Sequence, residues 1–571
     1  MLYIITEVSK KNGIGHFQRM LTLSSQLQPP VFFILFNDIN YKIQPTISHK
    51  SFSSYSEMIS AIVPLKGVFL VDLRNIPKML LKTLASKKSI YYDFYDYKKI
   101  QQGLILNPND FKRPSKLYPH LYYYEGFPYF IYNIKKSSPS VRKNKVLISF
   151  GGSDPFSLTN KILKLLDSSF SQFQFTIIDP HQENKIIQNN KTILPQQKTL
   201  SNFIKTHSII ITSFGNTLIE ALSFKKKVVL VNPTTYHQKL SLNLPIHLPS
   251  FSKKNINKQS FLRALSSPTP IFSLPKSKTA SIVSQYLKLK PKFQSPSICP
   301  ICGSSKSKII LNEIERTIYK CSHCSTIRLF RKKRKIENTY KNQYFIQDYK
   351  KQYGKTYLED KKNIEILGEK RIKIINNLRG NSKGLLLDIG AAYGFFLNVA
   401  RKYHWKTEGI EIIDKAVQYA RKKLKLQVQK QTIEKMKLKK YDVITLWYVF
   451  EHLENPLKEF SKIAKALNNG GILALGIPNG GGLTARFNLK EWLKIRPDDH
   501  FFDFTVKAFK ILAKKNSLKL LMVKNRGIYF ERLKKIIPLP DWKITRTLLH
   551  FFSSVFNLGD TIEVYFKKVS K

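Results

Sequence analysis

The ten residues Leu385-Leu-Leu-Asp-Ile-Gly-Ala-Ala-Tyr-Gly394 constrain the fold more than any other stretch. Three leucines run into an acid, then a glycine, then a second glycine four positions on. Such an apolar run reads as a strand buried in a parallel sheet. The glycines permit a sharp turn and let the backbone approach a ligand closely. Phe395 to Tyr403 reads as a helix whose positive N-terminus would face that ligand.

The following segments repeat the pattern. Thr407 to Asp414 reads as a second strand ending in acids, and Glu411 lies 23 residues after Asp388. In dinucleotide-type folds an acid at this position takes the ribose hydroxyls. Tyr441 to Trp447 is a third apolar run, followed by Glu451-His-Leu-Glu-Asn-Pro456, and Gly470 to Asn479 is a fourth. From about Leu385 to Met522 this series resembles the class I S-adenosylmethionine (SAM) methyltransferases. The Glu-His-Leu segment, Ile477-Pro-Asn479 and Asp499-His-Phe-Phe-Asp-Phe504 resemble a branch common among small-molecule and sugar methyltransferases. The resemblance implies that Asp388, Gly390 and Gly394 cradle the methionine part of SAM, with Glu411 on the ribose. Glu434, after a candidate strand at Gln427 to Gln429, is a candidate for the adenine side. The methyl of SAM is already activated, so the enzyme aligns the acceptor and removes its proton. His452, after the third strand, is the first candidate for a base acting on a hydroxyl or on a carbon next to a carbonyl. His500 is the second. Either also reads as a hydrogen-bonded wall residue.

The N-terminal half alternates strands and helices, which indicates a doubly wound α/β architecture. Leu2 to Thr6 leads into Asn12-Gly-Ile-Gly-His-Phe-Gln-Arg19, a glycine turn onto a helix. Gly15, His16 and Arg19 would lie at the C-terminal edge of the sheet, where open α/β sheets bind ligands. Histidine suits proton transfer near neutral pH, although a structural role fits the pattern equally. Further strands are read at Val31 to Phe36, Gly67 to Asp72 and Lys88 to Tyr92, whereas Phe36 to Val63 is Ser-rich and weakly patterned. A second unit begins at Lys145 and turns through Phe150-Gly-Gly-Ser-Asp-Pro155, with strands at Phe173 to Asp179 and Ser208 to Thr212. Ser213 to Leu222 is a glycine turn onto a helix, and Tyr236-His237-Gln238 reads as a loop after the strand Lys227 to Pro233.

Two Rossmann-like halves with these turns resemble a GT-B fold. Over residues 1 to about 245 they are similar to the UDP-sugar hydrolases of pseudaminic acid synthesis. The likeness rests on the Gly13 to Arg19 motif, Asp72, Tyr92-Asp93, Leu106 to Asn109, Glu125 to Tyr129, Gly151-Gly152-Ser153-Asp154 and Gly215-Asn-Thr217-Leu-Ile-Glu220. It implies His16 as the base that activates water, Glu220 on the uridine ribose and the second glycine turn on the diphosphate. UDP would leave with its charge stabilised by helix N-termini. The chain departs from that family at His237-Gln238, where Asn-Gln is usual; Gln238 stays a candidate sugar contact.

The four cysteines of the chain occur as Cys299-Pro-Ile-Cys302 and Cys321-Ser-His-Cys324, separated by 18 residues. This spacing matches a zinc ribbon, and four thiolates make a closed, structural Zn2+ site. A disulfide pair or free thiols is the alternative. A Tyr/Phe-rich stretch with Tyr344, Phe345, Tyr349, Tyr353 and Tyr357 follows, read as a cap on the methyltransferase cleft.

The expected fold class is therefore α/β multidomain. It comprises a GT-B-like pair at 1–143 and 144–290, a zinc ribbon at 296–330, a helical cap at 331–380 and a SAM methyltransferase domain at 381–571. The net charge is +58 over 571 residues, which invites anionic partners such as nucleic acid or a membrane surface. Lysine is spread along the whole chain, however, as an AT-rich coding bias produces. No run of 18 apolar residues occurs and the first residues read as a strand, so a cytoplasmic protein is expected, with peripheral contact to an anionic membrane possible in charge terms. The expected function is a bifunctional enzyme of surface-glycan biosynthesis, using SAM, a UDP-sugar and a sugar acceptor. A zinc-ribbon RNA methyltransferase, a glycosyltransferase fusion and a methyltransferase with a non-catalytic sugar-binding half stay open.

Overall fold

Apolar runs, mostly buried, dictate all of the first sheet but one edge strand. Its strands are β1 (Leu2–Val8), β2 (Val31–Asn37), β3 (His49–Phe52), β4 (Val68–Asp72), β5 (Lys88–Tyr92), β6 (Gly103–Asn107) and β7 (Leu121–Glu125). They lie in the order β3-β2-β1-β4-β5-β6-β7, all parallel. The order reverses between β1 and β4, so a crevice opens beyond their C-terminal ends. The helix Gly15–Ser24 follows β1 directly, as its glycine turn and spacing predict. The weakly patterned segment after Phe36 holds β3 and the helix Tyr55–Ile62, whose N-cap Ser54 accepts from the Glu57 N–H.

The computed structural model describes every residue except 10–13, 95–99, 101, 110–116, 119, 133–143, 152, 153, 155, 198, 243, 245, 269–273, 275, 290–297, 332–344, 346–348, 351–353, 437, 438, 528–542 and 571. The described residues form two compact units, 1–293 with 312–314, and 294–311 with 315–571.

A second sheet completes the first unit, with β8 (Lys145–Ser149), β9 (Gln174–Ile178), β10 (Ile186–Gln188), β11 (Lys191–Leu194), β12 (Ile209–Thr212), β13 (Lys227–Asn232) and β14 (Ser250–Ser252). The order is β10-β11-β9-β8-β12-β13-β14, antiparallel only at β10 and β11. Its reversal lies between β8 and β12, which places the turns at Gly151 and Gly215 together. Tyr236, His237 and Gln238, read as loop, lie in the helix Thr235–Leu242. Thr234 explains the difference, because its hydroxyl accepts from the His237 N–H in the first turn.

The second unit contains β15 (Ser307–Asn312), β16 (Arg316–Cys321), β17 (Ile327–Arg331), β18 (Leu385–Ile389), β19 (Lys406–Glu411), β20 (Gln427–Lys430), β21 (Tyr441–Trp447), β22 (Leu467–Pro478), β23 (Phe502–Asp503), β24 (Leu518–Gly527) and β25 (Thr561–Lys568). The large sheet runs β20-β19-β18-β21-β22-β25-β24, with β25 antiparallel to both neighbours and the other pairs parallel. Its reversal lies between β18 and β21. The helix Lys361–Leu378 buries Gly368, Arg371, Ile372 and Ile375.

The cysteine segment is not a separate module. Its sheet runs β15-β16-β17-β23, and β23 comes from the segment between β22 and β24. Thr505 Oγ1 donates to the Cys324 carbonyl at 2.7 Å, and Lys515 Nζ to that of Ile301 at 3.0 Å. Cys299, Ile301, Cys321 and Cys324 join one buried cluster with Phe450, Phe504, Phe509 and Leu512. A hairpin this small buries too little surface alone, so it borrows the core of its neighbour.

Candidate functional site

Three groups of polar side chains gather at positions the topology favours. In the large sheet of the second unit, the turn after β18 carries Gly390 (φ 75°) and Gly394 (φ 81°), both in the left-handed region. A Cβ on Gly390 would come within 2.3 Å of Val449, and one on Gly394 within 2.7 Å of Leu426. Ala392 (φ 48°) and Tyr448 (φ 59°) are also left-handed, at the ends of β18 and β21. Non-glycine residues held this way concentrate where structure serves a ligand.

Asp388, the penultimate residue of β18, is buried and accepts from Thr445 Oγ1 at 2.6 Å. Burial raises its carboxyl to about 7, with Glu411 adding to the shift and Thr445 and Arg371 opposing it. Glu411 ends β19 and accepts from the Ala392 N–H at 2.9 Å, Ile412 at 2.7 Å and Ile413 at 2.9 Å. These bonds fix its carboxylate beside the glycine turn. Burial outweighs them and holds its carboxyl above the usual range. Glu434 does not join this group. Its side chain is 72% exposed and paired with Lys458, because it lies on a surface turn after β20. It is removed from the cofactor set.

Arg371 joins the site without having been singled out from sequence. Its guanidinium is buried, pairs with Glu563 at 2.7 Å and lies 4.0 Å from the Trp447 ring centroid. Arg371 Nη2 and Trp447 Nε1 are buried with no hydrogen-bond partner among the described residues. The available signal was an arginine on the apolar face of an amphipathic helix, beside Ile372 and Ile375. Phe345 and Tyr357 of the aromatic stretch pack on Tyr393, and Tyr357 stacks on Phe395, so part of this stretch does cover the glycine turn. Tyr344 and Tyr353 lie outside the described residues.

Beyond β21 the short helix Phe450–His452 brings His452 against His500, with ring centroids 4.7 Å apart. His452 Nδ1 lies 3.3 Å from Asp499, and His500 Nδ1 lies 3.7 Å from Asp503. Asp503 is fixed by Arg496 at 2.7 Å and by Trp492 Nε1 at 3.1 Å. Burial would lower His452, but Asp499 and Glu451 outweigh it and hold its pKa above the ordinary value. Burial depresses His500. The neighbouring carboxylates thus favour the cationic form of one ring, and burial favours the neutral form of the other. Glu451, buried beside His452, is raised to about 7 by burial.

In the first unit His16, Arg19 and Asp72 meet at the reversal between β1 and β4. His16 Nδ1 lies 3.0 Å from Asp72 Oδ1, and Arg19 Nε donates to Asp72 Oδ2 at 2.6 Å. Burial would raise the Asp72 carboxyl, yet Arg19 and His16 hold it below the usual range. Gly15 lies beside Asn216, whose Nδ2 donates to the Gly15 carbonyl at 3.3 Å, so the glycine turns of the two sheets meet. Thr217 is half-buried in the helix Asn216–Ser223 that Gly215 caps, and Glu220 of the same helix accepts from Ser201 Oγ. Gly151 (φ 95°) has open space where a Cβ would stand, and Gly152 and Ser153 lie outside the described residues. Asp154 is corrected from ligand contact to helix cap: it is buried and accepts from the N–H groups of Leu158 at 3.0 Å and Thr159 at 2.8 Å. Gln238 is half-buried in its helix.

The four cysteine sulfurs lie within 4.8 Å of one another. Cys299 and Cys324 are 3.7 Å apart, Cys302 and Cys321 3.5 Å. A disulfide needs about 2.05 Å, whereas the edge of a tetrahedron with bonds of about 2.3 Å is about 3.8 Å. The donor set therefore has the shape of a four-coordinate metal site.

Comparison with known proteins gives the following. The family profile described as methyltransferase domain matches residues 364–523. An uncharacterized protein of Methanocaldococcus jannaschii is 28% identical over 268 residues, covering 40% of this chain and 54% of that protein. The chain thus spans about half the length of this curated relative. Among solved structures, a SAM-dependent methyltransferase, possible histamine N-methyltransferase, from Thermotoga maritima shares 18% identity over 40% of this chain and 97% of its own, with a TM-score of 0.29. A SAM-dependent methyltransferase from Archaeoglobus fulgidus shares 14% identity over 38% of this chain and 98% of its own, with a TM-score of 0.29.

Proposed function

We propose that residues 364–523, which match the methyltransferase-domain profile, form a class I SAM-dependent domain that methylates a sugar or sugar-derived acceptor, and that the first unit is a GT-B-like UDP-sugar hydrolase. The observation that carries the first part is the buried group at the β18–β21 reversal. SAM presents an ammonium and a sulfonium at one end and a carboxylate beside them. Asp388, desolvated and raised to about 7, gains from a cation next to it. Arg371, with a buried unpartnered Nη2, suits the carboxylate. Gly390 and Gly394 would let the backbone approach, and Glu411 would take the ribose. Bound SAM supplies the activated methyl group. His500, neutral, accepts the acceptor proton, with Asp503 beside its other nitrogen. His452, held cationic by Asp499, balances the negative charge that develops on the acceptor.

In the first unit the carrying observation is the His16–Asp72 pair. Asp72 lies against Nδ1, which leaves Nε2 as the nitrogen that would meet a reactant. His16 takes a proton from water, the water oxygen bonds to the anomeric carbon, and UDP leaves with the electrons of the broken C–O bond. The helix starting at Asn216 would stabilise the diphosphate through its N-terminal amides. The four cysteines would hold a structural Zn2+.

Mass spectrometry of the full chain with a panel of UDP-amino-sugars, with and without SAM, tests both parts. UDP release lost in His16→Ala, and methylated sugar lost in His500→Ala, are the expected results. UDP release indifferent to His16→Ala, or no demethylated SAM product across the panel, contradicts the corresponding part.

A further inference from the structure

The helix Lys543–Val555 turns its apolar side outward. Leu548, Phe551, Phe552, Val555 and the next residue, Phe556, are between 52% and 64% exposed. Their spacing of three, one, three and one residues places all five on one face of a helix. The opposite side holds the helix in place: Ser553 is buried, and its carbonyl accepts from Asn525 Nδ2 on β24. A helix that seats Ser553 and, with the residue that follows it, presents three phenylalanines to solvent is built to meet an apolar surface.

Charge decides which surface. The chain carries +58, and β24, to which the helix is tied through Asn525, adds Lys519 and Lys524 and no acid. A second copy of the chain would bring like charge to the stripe. An anionic bilayer brings the opposite charge, together with an acyl boundary that accepts phenylalanine. No helix among the described residues is long and apolar enough to cross a membrane, which suits a helix lying in the interface plane. We propose that this stripe docks the protein on a membrane surface containing anionic lipid, with the helix axis parallel to the bilayer. Neither the methyltransferase nor the hydrolase reading is needed for it.

Flotation of the full chain with vesicles tests the proposal. Vesicles of phosphatidylcholine with about one-third phosphatidylglycerol should carry the protein up the gradient, and pure phosphatidylcholine vesicles should bind at least tenfold less. Binding should weaken severalfold between 50 and 500 mM salt, in keeping with screening of surface charge. The double variant Phe551→Ser, Phe552→Ser should lose at least tenfold in partitioning while binding SAM as the wild type does. Phe552→Trp should keep binding and shift its emission to shorter wavelength on anionic vesicles. Wild-type protein that stays at the bottom of the gradient overturns the proposal and assigns the stripe to a protein surface, as does a concentration-dependent dimer abolished by the double variant. Undiminished vesicle binding by the double variant also overturns it, because lysines elsewhere would then suffice.

Discussion

Asp388 links ligand binding to pH more directly than any other residue. An unfolded aspartate titrates near about 3.9, and burial raises this one to about 7 in the folded protein. The folded state therefore binds the extra proton between those values, so the contribution of this group to stability falls as pH rises from about 4 through about 7. A cationic ligand reverses the preference by stabilising the carboxylate. SAM affinity should rise with pH up to about 7, by at most about tenfold per unit, and level off above it. Calorimetry across that range, repeated with Asp388→Asn, checks the sign; the variant should give a flat profile. The histidines separate similarly. His500→Ala should lower methyl transfer by about a hundredfold to ten-thousandfold, the scale of a lost general base, while SAM affinity stays within about twofold. Equal loss of SAM binding would make His500 a structural residue.

At the scale of elements, what was readable in the sequence was what periodicity and turn chemistry carry. The strand Leu385–Ile389, its glycine turn and the following helix lie where three leucines and two glycines put them. The Gly15 turn onto a helix was equally plain. Long-range pairings were not, because no local pattern encodes them. Arg371 meets Glu563 across 192 residues, and β23 pairs with β17 across more than 170. Asp154 looked like a ligand contact because its motif is glycine-rich, yet two buried N–H groups needed an acceptor and took it. Two predictions belong here. Gly390→Ala should abolish SAM binding with the fold retained, since a left-handed alanine costs about 1–2 kcal/mol and its Cβ would press on Val449. Chelation, or Cys299→Ser, should lower the melting temperature and weaken SAM binding together, because the cysteines share one core with Phe450 and Phe509. An unchanged SAM affinity in the stripped protein would mean that the cysteine hairpin folds apart from the sheet beside it.

The whole molecule carries two reversals of strand order in the first unit and one in the large sheet of the second. His16 and Asp388 lie in different compact units and share no partner among the described residues, so the two sites are expected to act independently. His16→Ala should therefore leave SAM affinity unchanged, and Asp388→Ala should leave UDP release unchanged, both measurable on the same preparations. The most direct measurement of the central claim is a calorimetric titration of SAM into the full chain, alongside Asp388→Ala and Glu411→Ala. One saturable site is expected in the wild type, and at least a tenfold loss of affinity in each variant. No saturable heat in the wild type, or affinity unchanged in both variants, would contradict it.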